Sequence, residues 1–266
     1  MATLAWPCRC RNDRRFGCRI SNRGRTLHEL PPFPWALMVA PPTSERTFAS
    51  RAWYAFIRLL AISFSLVYFR IRCHGRHNIP KSGGVLVLSN HQSHLDPPLV
   101  GMVIPRRVNF VARDTLFKNR IFAALIHSLD AIPIDREGLG LAGLKETMRR
   151  LKRGEVVLLF PEGTRSPDGE VHALKPGFSA LVQRTGVPIL PIGLDGAYDA
   201  WPRGTPAPRS GPIHVVIGEP IPAEVAKTMD DRELVALVET RIRECHAQAR
   251  ALRRRTMGLP MEGEEL

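Results

Sequence analysis

Four consecutive apolar residues, Val85 to Leu88, follow Gly83-Gly84 and run directly into Ser89-Asn90-His91-Gln92-Ser93-His94-Leu95-Asp96-Pro97-Pro98. A short unbroken apolar run after a glycine pair is the pattern of a strand buried on both faces. The polar stretch then falls at the strand's carboxyl end, where open α/β sheets place their ligands. Pro97 fits the first turn of a helix, which puts Asp96 at its N-cap. His91 and Asp96 are five positions apart, roughly 140° around an ideal helix, so they meet only if the loop folds back. A His held by a carboxylate can act as a general base near neutral pH. The bland alternative is that Asp96 caps a helix and His91 satisfies loop hydrogen bonds.

Further apolar runs at 108–112, 131–134, 156–160, 188–192 and 213–217 read as strands, with helical patterns between several of them. Over 139–153, Leu141, Leu144, Met148 and Leu151 recur at three and four, the period of an amphipathic helix. A last helix is predicted over about 230–253, where Val235, Val238, Ile242, Cys245, Ala249 and Leu252 line one face. Arg250, Arg253, Arg254 and Arg255 at its end complement the helix dipole. Alternating strands and helices predict one α/β domain over 73–254 with a mostly parallel, mixed sheet flanked by helices. Pro202, Gly204, Pro206, Pro208, Gly211 and Pro212 mark a long loop. Residues 255–266 are expected to be a flexible tail.

The segment 52–69 is the most apolar of the chain, interrupted by Arg58 and flanked by Arg51, Arg70 and Arg72. Its uncharged run, Leu59 to Phe69, is 11 residues, short of the ~20 that a spanning helix needs. Aromatic residues with arginines at the ends suit a helix lying in a membrane interface, here assigned to 48–72. A core helix of a soluble protein is the competing reading. Ahead of it, residues 1–47 are arginine- and proline-rich without helical or strand period, and are expected to be disordered. No apolar segment of signal-peptide type follows the early charges, and Met38 is an alternative start.

The net charge of +13 favours anionic partners: nucleic acid, anionic lipid or a phosphorylated substrate. No base-stacking module or zinc-finger spacing accompanies it, which argues against nucleic acid. Cys8, Cys10, Cys18, Cys73 and Cys245 are an odd, irregular set, neither a disulfide framework nor a complete zinc site. Reducing, cytosolic surroundings are the simplest reading.

A second stretch, Phe160-Pro161-Glu162-Gly163-Thr164-Arg165-Ser166, also follows an apolar run. Together the two resemble the glycerolipid acyltransferase family, typified by 1-acylglycerol-3-phosphate acyltransferase. Asn90-His91-x-Ser93-x-x-Asp96 matches the family's first motif, and Phe160 to Ser166 its third. Ile132-Pro133-Ile134-Asp135-Arg136 looks like the second and Val187 to Ile192 like the fourth, each weak alone. The likeness covers roughly residues 50–220. It implies transfer of a fatty acyl group from acyl-CoA or acyl carrier protein to the hydroxyl of a lysophospholipid, foremost 1-acylglycerol-3-phosphate. It also implies direct attack by that hydroxyl, without an acyl-enzyme.

On this reading His91 is the base and Asp96 orients its ring and stabilises the imidazolium. Ser93 is a hydrogen-bonding or capping residue. Arg165 can grip a phosphate with its planar fork, and the resemblance gives that site to Glu162, Gly163, Thr164 and Arg165. Arg136 is a second phosphate candidate, although Asp135 beside it weakens the local positive field. Lys175 before Pro176-Gly177 is a further cation, read first as an ordinary surface lysine. No cofactor or metal is expected. The partners are a membrane bilayer, contacted peripherally or monotopically from the cytoplasmic face, and the lipid and thioester substrates. From a different class, His91, His94 and Asp96 would suit a metal-dependent hydrolase, but that leaves Phe160 to Ser166 unexplained.

Overall fold

The computed structural model describes residues 47–113, 120, 123, 124, 126, 131–134 and 141–260. Expectations for residues 1–46, the Asp135-Arg136 pair and 261–266 lie outside the described residues. Among the described residues, seven strands form one sheet: β1 (Arg72–His74), β2 (Val85–Ser89), β3 (Val108–Arg113), β4 (Ile132–Ile134), β5 (Val156–Leu159), β6 (Ile189–Asp195) and β7 (His214–Ile217), in the order β1-β7-β6-β2-β5-β3-β4. The pairs joining β6, β2, β5, β3 and β4 are parallel. β7 runs antiparallel to β6 and parallel to β1, so the sheet is mixed at one edge. The short edge strand β1 carries Arg72 and His74 and has no apolar run to announce it.

The apolar runs are unbroken because both sheet faces are covered. Val85 and Val87 enter one core cluster with Val156, Leu158, Leu190, Ile192 and Leu194. Their neighbours Leu86 and Leu88 enter the other with Val157, Leu159 and Ile189. Each strand thus buries alternate side chains on opposite faces, the period-two consequence of the pleat. The first face is roofed by α1 (Phe48–Tyr68) and α2 (Asp96–Val103). Helices Leu141–Lys152, Ser179–Thr185, Ala223–Thr228 and Asp231–Met257 lie on the second.

The C-terminal helix begins with a capping box: Asp230 accepts from the Arg232 and Glu233 backbone, and Glu233 reaches back to the Asp230 N–H. It continues to Met257 and stops at Gly258 in the left-handed region, so residues 255–257 belong to the helix rather than to the tail. Its backbone lies directly on β6: a Cβ added at Gly193 would sit 2.2 Å from the His246 nitrogen.

Arg58 resolves the charge inside the apolar segment. Its guanidinium donates to the carbonyls of Met102 and Ile104, at 3.0 and 2.7 Å, and of Pro105 at 3.1 Å. These are carbonyls at the end of α2, where no helical donor remains. The charge is therefore turned toward the domain, while Phe56, Leu59, Leu60, Phe64, Leu66 and Val67 stay exposed. α1 spans 21 residues and is long and apolar enough to cross a membrane by length and composition. The 11-residue count measured only the stretch free of Arg58. The helix ends at Tyr68, short of the expected 72, because Arg72 already pairs in β1.

Candidate functional site

β2 and β5 are adjacent and parallel, with Leu88 opposite Leu159. The chain therefore leaves both strands at the same edge of the sheet, one strand spacing apart. The loop after β2 carries His91 and Asp96; the loop after β5 carries Glu162 to Ser166. On the other side of β2, Asn90 donates from Nδ2 to the Leu194 carbonyl at 2.9 Å and accepts the Leu194 N–H at 2.8 Å. Its amide continues the β2–β6 ladder past the last paired residue and fixes where the loop starts.

The loop then folds back on Asp96, as the pairing of His91 with Asp96 requires. Oδ2 of Asp96 accepts the backbone N–H groups of Gln92 and Ser93 at 2.6 and 2.7 Å, and lies 2.7 Å from Nδ1 of His91. Asp96 is fully buried. It sits at the first position of α2 rather than at the N-cap, which is Leu95. Its carboxylate thus serves the loop ahead of the helix instead of its own first turn. An ionised carboxylate can only accept, so Nδ1 of His91 carries a proton, and in the neutral imidazole Nε2 then presents its lone pair.

The second loop clasps the first. Glu162 Oε1 accepts the His91 N–H at 3.0 Å, and the Ser166 N–H donates to the His91 carbonyl at 2.7 Å. The Phe160 ring stacks on the imidazole at 4.1 Å with a 19° interplanar angle. His91 is held through its backbone, its ring nitrogen and its ring face, and its side chain retains 19% exposure. Ser93 is engaged elsewhere: its Oγ donates to the Trp201 carbonyl at 2.9 Å.

Gly163 has φ +73°, a conformation that favours glycine, and a Cβ there would lie 2.9 Å from Nζ of Lys175. Lys175 therefore reaches across the turn of the second loop. Gly163 and Thr164 are exposed and Arg165 is half-buried. Arg165 lies close to His94: burial lowers the His94 pKa first, and the Arg165 charge is the next cause. His94 itself packs beside Trp201, with ring centroids 5.6 Å apart. The structure thus brings His91, Asp96, Glu162, Gly163, Thr164 and Arg165 together, while Arg136 lies outside the described residues.

The residues behind the loop were not singled out from sequence. Gln92, fully buried, donates from Nε2 to the Gly169 carbonyl at 2.6 Å and accepts the Tyr198 N–H at 3.3 Å. Its Nε2 also lies 3.2 Å from Nε2 of His246 on the C-terminal helix. A Gln inside a polar loop gives no sequence signal of this kind. His246, by contrast, follows Ile242 by four residues and continues the packed face.

Burial pushes the Glu162 carboxyl from its ordinary 4.5 up to about 7, against the opposing N–H groups of His91 and His172. A carboxyl whose pKa is raised by folding binds its proton more tightly in the folded chain. Its contribution to stability is present below about 4.5 and is lost as the pH rises toward about 7. Glu162→Gln keeps an acceptor for the His91 N–H and removes the titration. Its melting temperature relative to wild type should be more favourable at pH 8 than at pH 5. Equal offsets in melts at the two pH values would show that no charge is buried there.

The chain is similar to known proteins over this region. A family model described as Acyltransferase matches residues 70–195. The chain is 32% identical over 191 residues to the 1-acyl-sn-glycerol-3-phosphate acyltransferase of Pseudomonas aeruginosa, covering 70% of this chain and 72% of that one. It is 28% identical over 171 residues to the Bacillus subtilis enzyme of the same name, covering 64% and 83%. The crystal structure of the 1-acyl-sn-glycerophosphate (LPA) acyltransferase PlsC from Thermotoga maritima matches with a TM-score of 0.68 at 29% identity, covering 76% of this chain and 82% of that one. With relatives of this identity and coverage, and a solved relative sharing its mixed α/β sheet, this chain belongs to the acyltransferase family.

Proposed function

We propose that this protein moves a fatty acyl group from an acyl thioester to the free hydroxyl of 1-acylglycerol-3-phosphate, giving phosphatidic acid. The observation that carries the reading is the His91–Asp96 pair, 2.7 Å apart through Nδ1, a contact that does not use Nε2 of His91. The relatives' names supply the acceptor, and acylation of its remaining hydroxyl gives the product. The donor is a thioester of CoA or of acyl carrier protein.

In this mechanism Nε2 of His91 takes the proton of the acceptor hydroxyl as its oxygen attacks the thioester carbonyl. The buried Asp96 carboxylate stabilises the imidazolium that forms. The tetrahedral intermediate collapses with cleavage of the C–S bond, and His91 returns the proton to the leaving thiolate. No protein nucleophile is required. Arg165, on the loop that clasps His91, binds the acceptor phosphate as a charge-assisted fork. The +13 net charge favours an anionic surface and an anionic substrate alike.

The exposed apolar face of α1 supports binding to the bilayer as a monotopic helix. Arg58 and the residues Ala61, Ile62 and Tyr68 tie α1 to the domain along one side. A helix so tied lies along the domain surface, with its outer face in the interface of the cytoplasmic leaflet.

Three experiments test these assignments. His91→Ala should lower turnover by about 10²–10⁴-fold with its melting temperature retained. Asp96→Asn should lose a large part of the same activity, and the double variant less than the product. Near-normal turnover in His91→Ala, measured with acyl-CoA and 1-acylglycerol-3-phosphate, would reject the mechanism. Arg165→Ala should raise the acceptor KM by about tenfold and leave the donor KM unchanged, because a phosphate contact persists from ground state to transition state. Lysine there should rescue in part; a change confined to the donor KM would move that loop to the thioester side. Replacing Phe56, Leu59 and Leu66 together by Gln should weaken binding to anionic vesicles by about 100-fold or more, since each buried side chain is worth roughly 1.5–3 kcal/mol. Flotation equal to wild type would show that α1 is not the membrane contact.

A further inference from the structure

Gln92 links two regions that are 154 positions apart. Its backbone N–H is one of the donors that hold Asp96 Oδ2. Its side chain points away from the loop, into the layer beneath the C-terminal helix. There the amide orientation is fixed by two backbone groups: Nε2 donates to the Gly169 carbonyl and Oε1 accepts the Tyr198 N–H. The second amide hydrogen is then directed at Nε2 of His246, 3.2 Å away. To receive it, that nitrogen must present a lone pair.

A second group lies near the same nitrogen. Asp195 Oδ1 is 3.5 Å from Nε2 of His246, longer than the contact with Gln92. Asp195 is already compensated by Arg253, 3.1 Å from Oδ2, and by Arg250, 3.5 Å from Oδ1. Arg250 also meets Glu170, and Arg253 meets Asp199. Burial raises the Asp195 pKa, and contacts with His246 and Arg253 lower it more. With two guanidiniums beside the carboxylate and the Gln92 amide nearer to Nε2, the lone pair of that nitrogen goes to Gln92. The imidazole sits with 4% exposure among these groups, on a helix whose backbone is pressed against Gly193.

We propose that His246 is a positioning residue for the acyl transfer. By accepting the Gln92 amide hydrogen it locks Gln92, and through the Gln92 backbone N–H it fixes the Asp96 carboxylate and the ring of His91. The inference rests on His91 and Asp96 carrying the reaction. A buried amide hydrogen left without an acceptor is costly, so Gln92 shifts when His246 cannot accept, and the loop shifts with it. Small displacements of a base from its reacting atom lower turnover steeply while leaving substrate binding nearly intact.

The experiment compares His246→Leu with His246→Gln in the full chain. Glutamine can place its amide oxygen where Nε2 lies; leucine fills the space without an acceptor. His246→Leu should lower kcat by about tenfold or more with both KM values near wild type, and His246→Gln should restore most of it. A second readout does not depend on turnover: the downfield proton resonance of the His91 Nδ1–H, identified by its loss in His91→Ala. It should stay in place in His246→Gln and shift or broaden in His246→Leu. If the two variants have equal kcat and leave the resonance unmoved, or if loss of activity simply follows the melting temperature, the positioning role is wrong. If the resonance responds as expected but wild type transfers no acyl group, the positioning stands and the reading of the reaction fails.

Discussion

One buried oxygen organises the site. Asp96 Oδ2 accepts two consecutive backbone N–H groups and faces the imidazole of His91, with all three distances between 2.6 and 2.7 Å. Charge-assisted hydrogen bonds of this length are among the stronger ones in proteins. They make the loop curl, because Gln92 and Ser93 can both reach one oxygen only if the chain turns around it. The same oxygen fixes the tautomer of His91. Removing the carboxylate would therefore release the loop's conformation and the ring's orientation together, and these cannot be assigned separate energies.

The sheet determines what this loop meets. β2 has β6 on one side and β5 on the other, all parallel, so three strand ends open onto one edge. From β5 come Phe160, Glu162 and Ser166, which hold the ring and backbone of His91. From β6 come Leu194, which pairs with Asn90, and the turn to Tyr198, whose N–H meets Gln92. His91 and Glu162 are 71 positions apart. No local structure would bring them together; the adjacency of β2 and β5 does.

Much of this frame is legible in the sequence because both sheet faces are buried. Runs such as Val85 to Leu88 and Val156 to Leu159 stay apolar at every position, and only a doubly covered strand needs that. β1 escapes a sequence reading for the converse reason: an edge strand of three residues, Arg72 to His74, has little to bury. Asp96 reads as the N-cap but occupies the first helical position, since Pro97 is equally at home at the first or second position of a helix. The meeting of His91 with Asp96 follows from chemistry, given a loop that folds back. The grip of Gln92 on His246 does not, because no spacing rule connects a loop residue to a helix 154 positions later.

Arg58 shows how a single charge can fit an apolar helix without spoiling its outer face. A guanidinium pointing outward from α1 would place a charge among Phe56, Leu59 and Leu60, all exposed. Turned inward, it supplies donors to the carbonyls of Met102 and Ile104 at the end of α2. Those carbonyls carry the negative end of that helix's dipole, which a cation stabilises. α2 is eight residues long, about 12 Å at the usual rise. Its far end is Asp96. One short helix thus has the exposed apolar helix α1 fastened to its carboxyl end and the His91 partner at its amino end. On the proposed function, a rigid element rather than a flexible linker would then set the distance between a bilayer surface and the His91 imidazole, which suits a lipid acceptor.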